Sequence, residues 1–169
     1  MFTRADIEKY FNAEKEESRV FLTIGITAVV LALVYLLLLK TNFYKGASIP
    51  LLLLGLLLIL VGYTVMRRSD KDRIRNVYAY DMNPAELKEK ELPRMKIVMR
   101  NFVIYRWLEI FLFGAGAGLY IYFIRDFEND FWRGFGLALA VMALIALMAD
   151  YFAEKRGGVY TKGLEEFIL

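Results

Sequence analysis

Four stretches free of charge divide this chain, and nothing else in it constrains the fold as tightly. Val20 to Leu39 runs 20 residues between Arg19 and Lys40, and Gly46 to Met66 runs 21 between Lys45 and Arg67. A helix of that length crosses a hydrocarbon layer about 30 Å thick, at about 1.5 Å per residue. The other two stretches are shorter, 15 residues from Ile110 to Ile124 and 16 from Gly134 to Ala149. To span, the third must draw in Glu109, with Arg106 close behind, and the fourth must hold Asp150 at its boundary. Charges at that depth are costly and mark function unless a partner satisfies them. The pattern predicts an all-α integral membrane four-helix bundle: two antiparallel transmembrane hairpins joined by a short helical cytosolic connector.

Composition narrows the chemistry. The chain is 58% apolar and 24% charged, with the charges lying between the apolar runs. A net charge of +3 is too small to argue for nucleic acid. There is no cysteine and no histidine, which removes thiolate chemistry, disulfides, the commonest metal ligands and the side chain that most readily titrates near neutral pH. No metal, cofactor or catalytic residue is therefore expected, and the chain is not expected to be an enzyme.

Orientation follows from the loops. Seventeen Lys and Arg fall in the N-terminal segment, the Arg67–Arg100 loop and the C-terminal tail, against four in the two remaining loops. The positive-inside bias predicts a plasma (inner) membrane protein with both termini cytosolic. The acidic first 19 residues are not a secretory signal, so the first span reads as an uncleaved anchor.

Along the chain, Thr3-Arg-Ala-Asp6 reads as a capping box opening an amphipathic helix over residues 1–19, with Ile7, Tyr10 and Phe11 on one face, lying along the cytosolic surface. The first hairpin occupies 20–66, with Pro50 suited to the opening turn of its second helix. A basic connector covers 67–100, where the helix runs on past Met66 with Ile74, Val77 and Tyr78 as an apolar stripe. Asn83-Pro84 opens a new helix, and Pro93 starts another. The second hairpin covers 101–153, and Gly157-Gly158 ends its last helix before a tail over 154–169. The two hairpins share a plan and invite reading as an internal repeat, although residue-level likeness is faint.

Two motifs fail as ligand sites. Gly114-Ala-Gly-Ala-Gly118 lacks the preceding strand of a phosphate loop; its small residues instead suit close helix packing, with Gly136 and Ala140 on the fourth span as mates. Asp126-x-Glu128-x-Asp130 has Phe131 and Leu137 where a calcium loop needs glycine and glutamate.

One polar constellation remains. Asn101, Tyr105 and Glu109 follow one another at four-residue steps and share a helical face, with Arg106 on its flank; Tyr63 and Asp150 lie at similar depth. Arg106 is expected to pair with Glu109, with Asp150 as rival partner, either as a structural clamp or as a pocket for an ion, proton or lipid headgroup. The expected partners are the bilayer and either further copies of the chain or another membrane protein, with anionic headgroups near the basic connector. A non-enzymatic accessory, regulatory or immunity-type role fits the small size and missing catalytic residues. An oligomeric transporter or channel using Glu109, Arg106 and Asp150 is the alternative.

Overall fold

The computed structural model describes residues 2–168. The chain is an all-α bundle of four long apolar helices, each long enough to span a membrane. Helix α1 covers Arg4–Val34 and ends in a widened turn at Tyr35–Leu39, where the Lys40 N–H donates to the Tyr35 carbonyl. Helix α2 covers Asn42–Met82, and a short turn, α3, covers Pro84–Glu86. Helix α4 covers Leu92–Tyr122 and α5 covers Asp130–Ile168. Packing runs α1 on α2, α2 on α5 and α5 on α4, with a smaller contact of α1 with α5, so α2 and α5 form the inner pair. Apolar side chains such as Leu38, Leu53, Trp107 and Phe111 point outward along the spans, as lipid-facing residues do.

The helices continue well beyond the apolar stretches at the end that carries both termini, the charged end. Three sequence expectations change there. First, α1 does not lie flat: it is continuous from Arg4, and Ile7, Tyr10 and Phe11 are buried inside the bundle. Their partners are Ala79, Leu87, Met95, Tyr160 and Leu164, with Tyr10 stacked on Tyr160 at 4.2 Å between ring centres. A bundle buries that stripe more completely than a membrane surface would. The capping residues hold as read, since the Asp6 carboxylate accepts both the N–H and the hydroxyl of Thr3 at 2.8 and 2.7 Å.

Second, Gly157-Gly158 does not end α5, which runs to Ile168. Gly157 sits under Met99, where a Cβ would come within 3.1 Å of its sulfur, so the residue serves close helix approach. Burial of Tyr160 and Leu164 beyond it outweighs glycine's helix penalty of about 1 kcal/mol. Third, Pro93 lies in the first turn of α4 as read, but no break separates that helix from the one opened by Asn83-Pro84. The backbone widens into a π turn over Leu87–Glu91, so the helical run passes through the proline and turns both Leu87 and Glu91 inward.

The stripe on α2 holds only at Val77, which packs half-buried against the core. Ile74 and Tyr78 face outward, at 65% and 63% exposure, while Ser69, Asp72, Asn76 and Ala79 face the bundle.

Candidate functional site

Close helix contact in the spans is made by glycine, and the contacts form a two-fold pattern. Phe43-Tyr-Lys-Gly46 opens α2 and Phe131-Trp-Arg-Gly134 opens α5. Gly46 presses on the Phe131 carbonyl, and Gly134 presses on the Phe43 carbonyl in the reciprocal contact. This seat joins the two hairpins and relates them as like halves, each with the same direction through the bundle.

Within the first hairpin, glycines close the seam between α1 and α2. A Cβ on Gly25 would stand 2.7 Å from the Gly55 carbonyl oxygen, and one on Gly62 would stand 2.7 Å from that of Ser18. In the second hairpin the corresponding seam is Gly116 of α4 against Gly136 and Ala140 of α5, with a Gly116 Cβ position 2.6 Å from the Ala140 nitrogen. Gly136 and Ala140 thus pack as their small size suggested. Gly114 and Gly118 do not: nothing lies within 4 Å of a Cβ on either. Three glycines alternate along Gly114–Gly118, and only the middle one turns to α5. A helical step of about 100° per residue allows no more than one of neighbouring alternate positions to face a single partner.

Aligning the hairpins on the reciprocal seat carries Gly62 onto Asp150, and aligning their α1–α2 and α4–α5 contacts carries Gly25 onto Glu109. Where the first hairpin closes on glycine, the second carries two carboxylates. The result is a pocket of about 410 Å³ between α4 and α5, lined by Arg106, Glu109, Ile110, Leu147, Met148, Asp150, Tyr151, Phe152 and Glu154. Its walls are largely apolar, and Met148, Tyr151 and Phe152 at its rim are more than half exposed on the bundle's outer surface.

The pairing inside the pocket differs from the sequence expectation. Arg106 bonds Glu154, one helical turn beyond Asp150, at 2.7 Å. The Glu109 carboxyl instead faces that of Asp150 within hydrogen-bonding range. Among the described residues, neither Glu109 nor Asp150 has a basic partner within 4.0 Å, and no donor reaches the buried Oε2 of Glu109. Arg106 prefers Glu154 because that carboxylate stands nearer the water, where a guanidinium is cheaper to hold. Two carboxyls this close share a proton or hold a cation between them.

The remaining predicted members stand apart. Tyr105 is 48% exposed on the outer face of α4, and Tyr63 accepts a hydrogen bond from Arg67 on its own helix at 3.0 Å. Asn101 is half-buried on α4 and joins no side-chain hydrogen bond among the described residues. Equal spacing placed these side chains near Glu109, but the facing helix covers only a narrow strip of α4.

A second polar cluster, at the charged end, escaped the sequence reading. Glu91 is buried, and Arg94 grips it through Nε and Nη2 at 2.9 and 2.6 Å. The Tyr160 hydroxyl donates to it at 3.3 Å and Arg75 approaches at 3.7 Å. Buried Asp72 takes Arg75 at 3.1 Å and Arg68 at 3.3 Å, and Ser69 donates to Glu14 at 2.7 Å. Glu17 pairs with Arg156, and Lys15 with Asp70 at 2.5 Å. Burial raises the Glu17 carboxyl above its ordinary range despite the Arg156 guanidinium beside it. Burial, and then the Glu91 carboxylate, raise the Tyr160 phenol. The signal that would have revealed this cluster is the helical spacing of Ser69, Asp72, Asn76 and Ala79, a stripe of small and polar side chains. Each carboxylate here has a basic or hydroxyl partner, though Asp72 Oδ2, Arg94 Nη1 and Arg156 Nε are buried without a hydrogen bond, and the cluster has the character of a structural clamp.

No protein-family model, curated protein or solved structure matches the chain. Four candidate spans suggest a multi-pass membrane protein, with an acidic pocket between α4 and α5 at the edge of its apolar zone.

Proposed function

We propose that this chain is a non-enzymatic accessory protein that binds another membrane protein through the pocket between α4 and α5. The observation that carries this reading is a cavity in the bundle's outer surface whose two inner carboxylates have no basic partner within 4.0 Å among the described residues. Intramembrane carboxylates are retained where something completes them. The pocket brings together no nucleophile and base, and the chain contains no cysteine or histidine. In this reading the protein sits in the plasma (inner) membrane with both termini in the cytosol, as the loop charges favour.

A photo-crosslinking residue at Met148 or Tyr151, in the native membrane, tests the reading. A discrete protein adduct from these positions, absent from a probe at Leu53 on the outer face of α2, is expected. Lipid adducts alone from every position would overturn it.

A transport role draws support from one observation, the like plan of the two hairpins, since some carriers are built from parallel repeats. Against it, α4 beyond Glu109 offers only tyrosines as polar side chains. Proton or cation flux in vesicles that stops with Glu109→Gln would favour transport.

A further inference from the structure

Resting on the accessory reading, the nature of the partner can be taken one step further. The pocket holds three carboxylates and one guanidinium, and the guanidinium is spent on Glu154. Glu109 and Asp150 line the same cavity, and among the described residues no basic side chain lies within 4.0 Å of either. These two stand at the positions equivalent to the first hairpin's seam glycines, so the pocket opens where the other hairpin is closed. A single positive charge entering between them would offset one of their two negative charges, or neutralise the pair when one proton is shared, and would give the Glu109 Oε2 a donor.

A second observation concerns what carries that charge. Arg106, Ile110, Gly114 and Gly118 follow at four-residue steps, so they form one stripe on α4. Arg106 and Ile110 line the pocket, and the stripe leads from it to two glycines with open space above them. The apolar window of this helix is also the least covered of the four, at 6% buried. Bare backbone beside a span admits the backbone of another helix, whereas an acyl chain has no use for it.

We propose that α4 docks a transmembrane helix of another protein, its small residues against Gly114 and Gly118 and its one lysine or arginine in the pocket beside Glu109 and Asp150. Charge complementarity fixes the partner's depth and the glycine stripe fixes its angle.

The test uses the full chain in phosphatidylcholine vesicles, with energy transfer to a labelled single-span peptide. The peptide is Leu/Ala-rich, with a small-x-x-x-small motif and one lysine placed just inside the boundary. A matched peptide carries leucine instead of the lysine. Association at least tenfold tighter for the lysine peptide is expected, with that advantage lost in the double variant Glu109→Gln, Asp150→Asn. Gly118→Leu, which leaves the carboxylates untouched, should weaken both peptides. Circular dichroism and gel filtration of each variant identify a loss caused by misfolding, and such a variant is replaced by Glu109→Ala or Gly114→Leu.

Equal binding of the two peptides overturns the proposal. So does binding suppressed by adding phosphatidylethanolamine, which would make the occupant a lipid amine. Self-association of the chain that Gly118→Leu abolishes would assign the stripe to a second copy and overturn it too. If the lysine peptide shows no advantage while the Met148 probe still yields a protein adduct, this proposal falls and the accessory reading stands. If neither occurs, both fall.

Discussion

Gly46 lies so close to the Phe131 carbonyl that no side chain fits between them, and the same holds for Gly134 against Phe43. The two hairpins therefore meet backbone to backbone at their loop end. Gly46→Ala and Gly134→Ala should each force the hairpins apart, costing about 1–3 kcal/mol as overpacking does. Thermal or denaturant unfolding in detergent measures it. Unchanged midpoints for both would sink the idea of a shared seat.

The alternating glycines of α4 give a prediction of opposite sign at neighbouring positions. Gly116→Ala should destabilise, because its Cβ would stand 2.6 Å from the Ala140 nitrogen. Gly114→Ala and Gly118→Ala meet nothing and should stabilise α4 by about 0.5–1 kcal/mol through helix propensity. The three variants, unfolded side by side, check the assignment, and an equal effect at all three would refute it.

Glu91 and Glu154 each bond an arginine, but in different surroundings. Glu91 is 1% exposed and Glu154 23%. Glu91→Gln strands the half-buried Arg94 and leaves the buried Tyr160 contact weakened, and should cost about 3 kcal/mol. Glu91→Met combined with Arg94→Met should recover much of that loss. Glu154→Gln should cost about 0–1 kcal/mol. Comparable losses from the two glutamine variants would contradict this ranking.

Acid should act on the charged end in two directions. The Asp70 carboxyl is held below its ordinary range chiefly by the hydrogen bond from Lys15. Its contribution is complete above the unfolded value near 3.8 and drains away as the pH falls through the lower folded value. Glu17 is raised, so the folded state holds its proton more tightly than the unfolded chain does. Its cost is present above the folded value and disappears as the pH falls towards the ordinary glutamate value near 4.5. Stability measured against pH should thus lose its upward drift below neutrality in Glu17→Gln, and fall less steeply below about pH 4 in Asp70→Asn. Curves identical to the parent in both variants would show that neither carboxylate is linked to folding.

The spans and hairpins were legible because their cause is local. An uncharged run of 20 residues between Arg19 and Lys40 leaves a chain few options in lipid. The charged end was illegible for the converse reason. On α2 the inward face is Ser69, Asp72 and Asn76, while Ile74 and Tyr78 face out, so hydrophobic periodicity selects the wrong side. Glu109 and Asp150 announced themselves by interrupting apolar runs. Their pairing with each other did not, because Arg106 was close in sequence to Glu109 but its bond to Glu154 depends on how α5 lies against α4.

Glu109 and Asp150 stand at the positions where the other hairpin has Gly25 and Gly62, and this has a consequence for what each hairpin must hold. A lone hairpin must keep its seam small to stay shut, and a carboxylate there would trade cohesion for chemistry. Here the first hairpin is shut on its glycines, and the second is tied to it along α2 and α5. The second can then give up part of its own grip without the bundle coming apart, which leaves its seam free to carry polar groups.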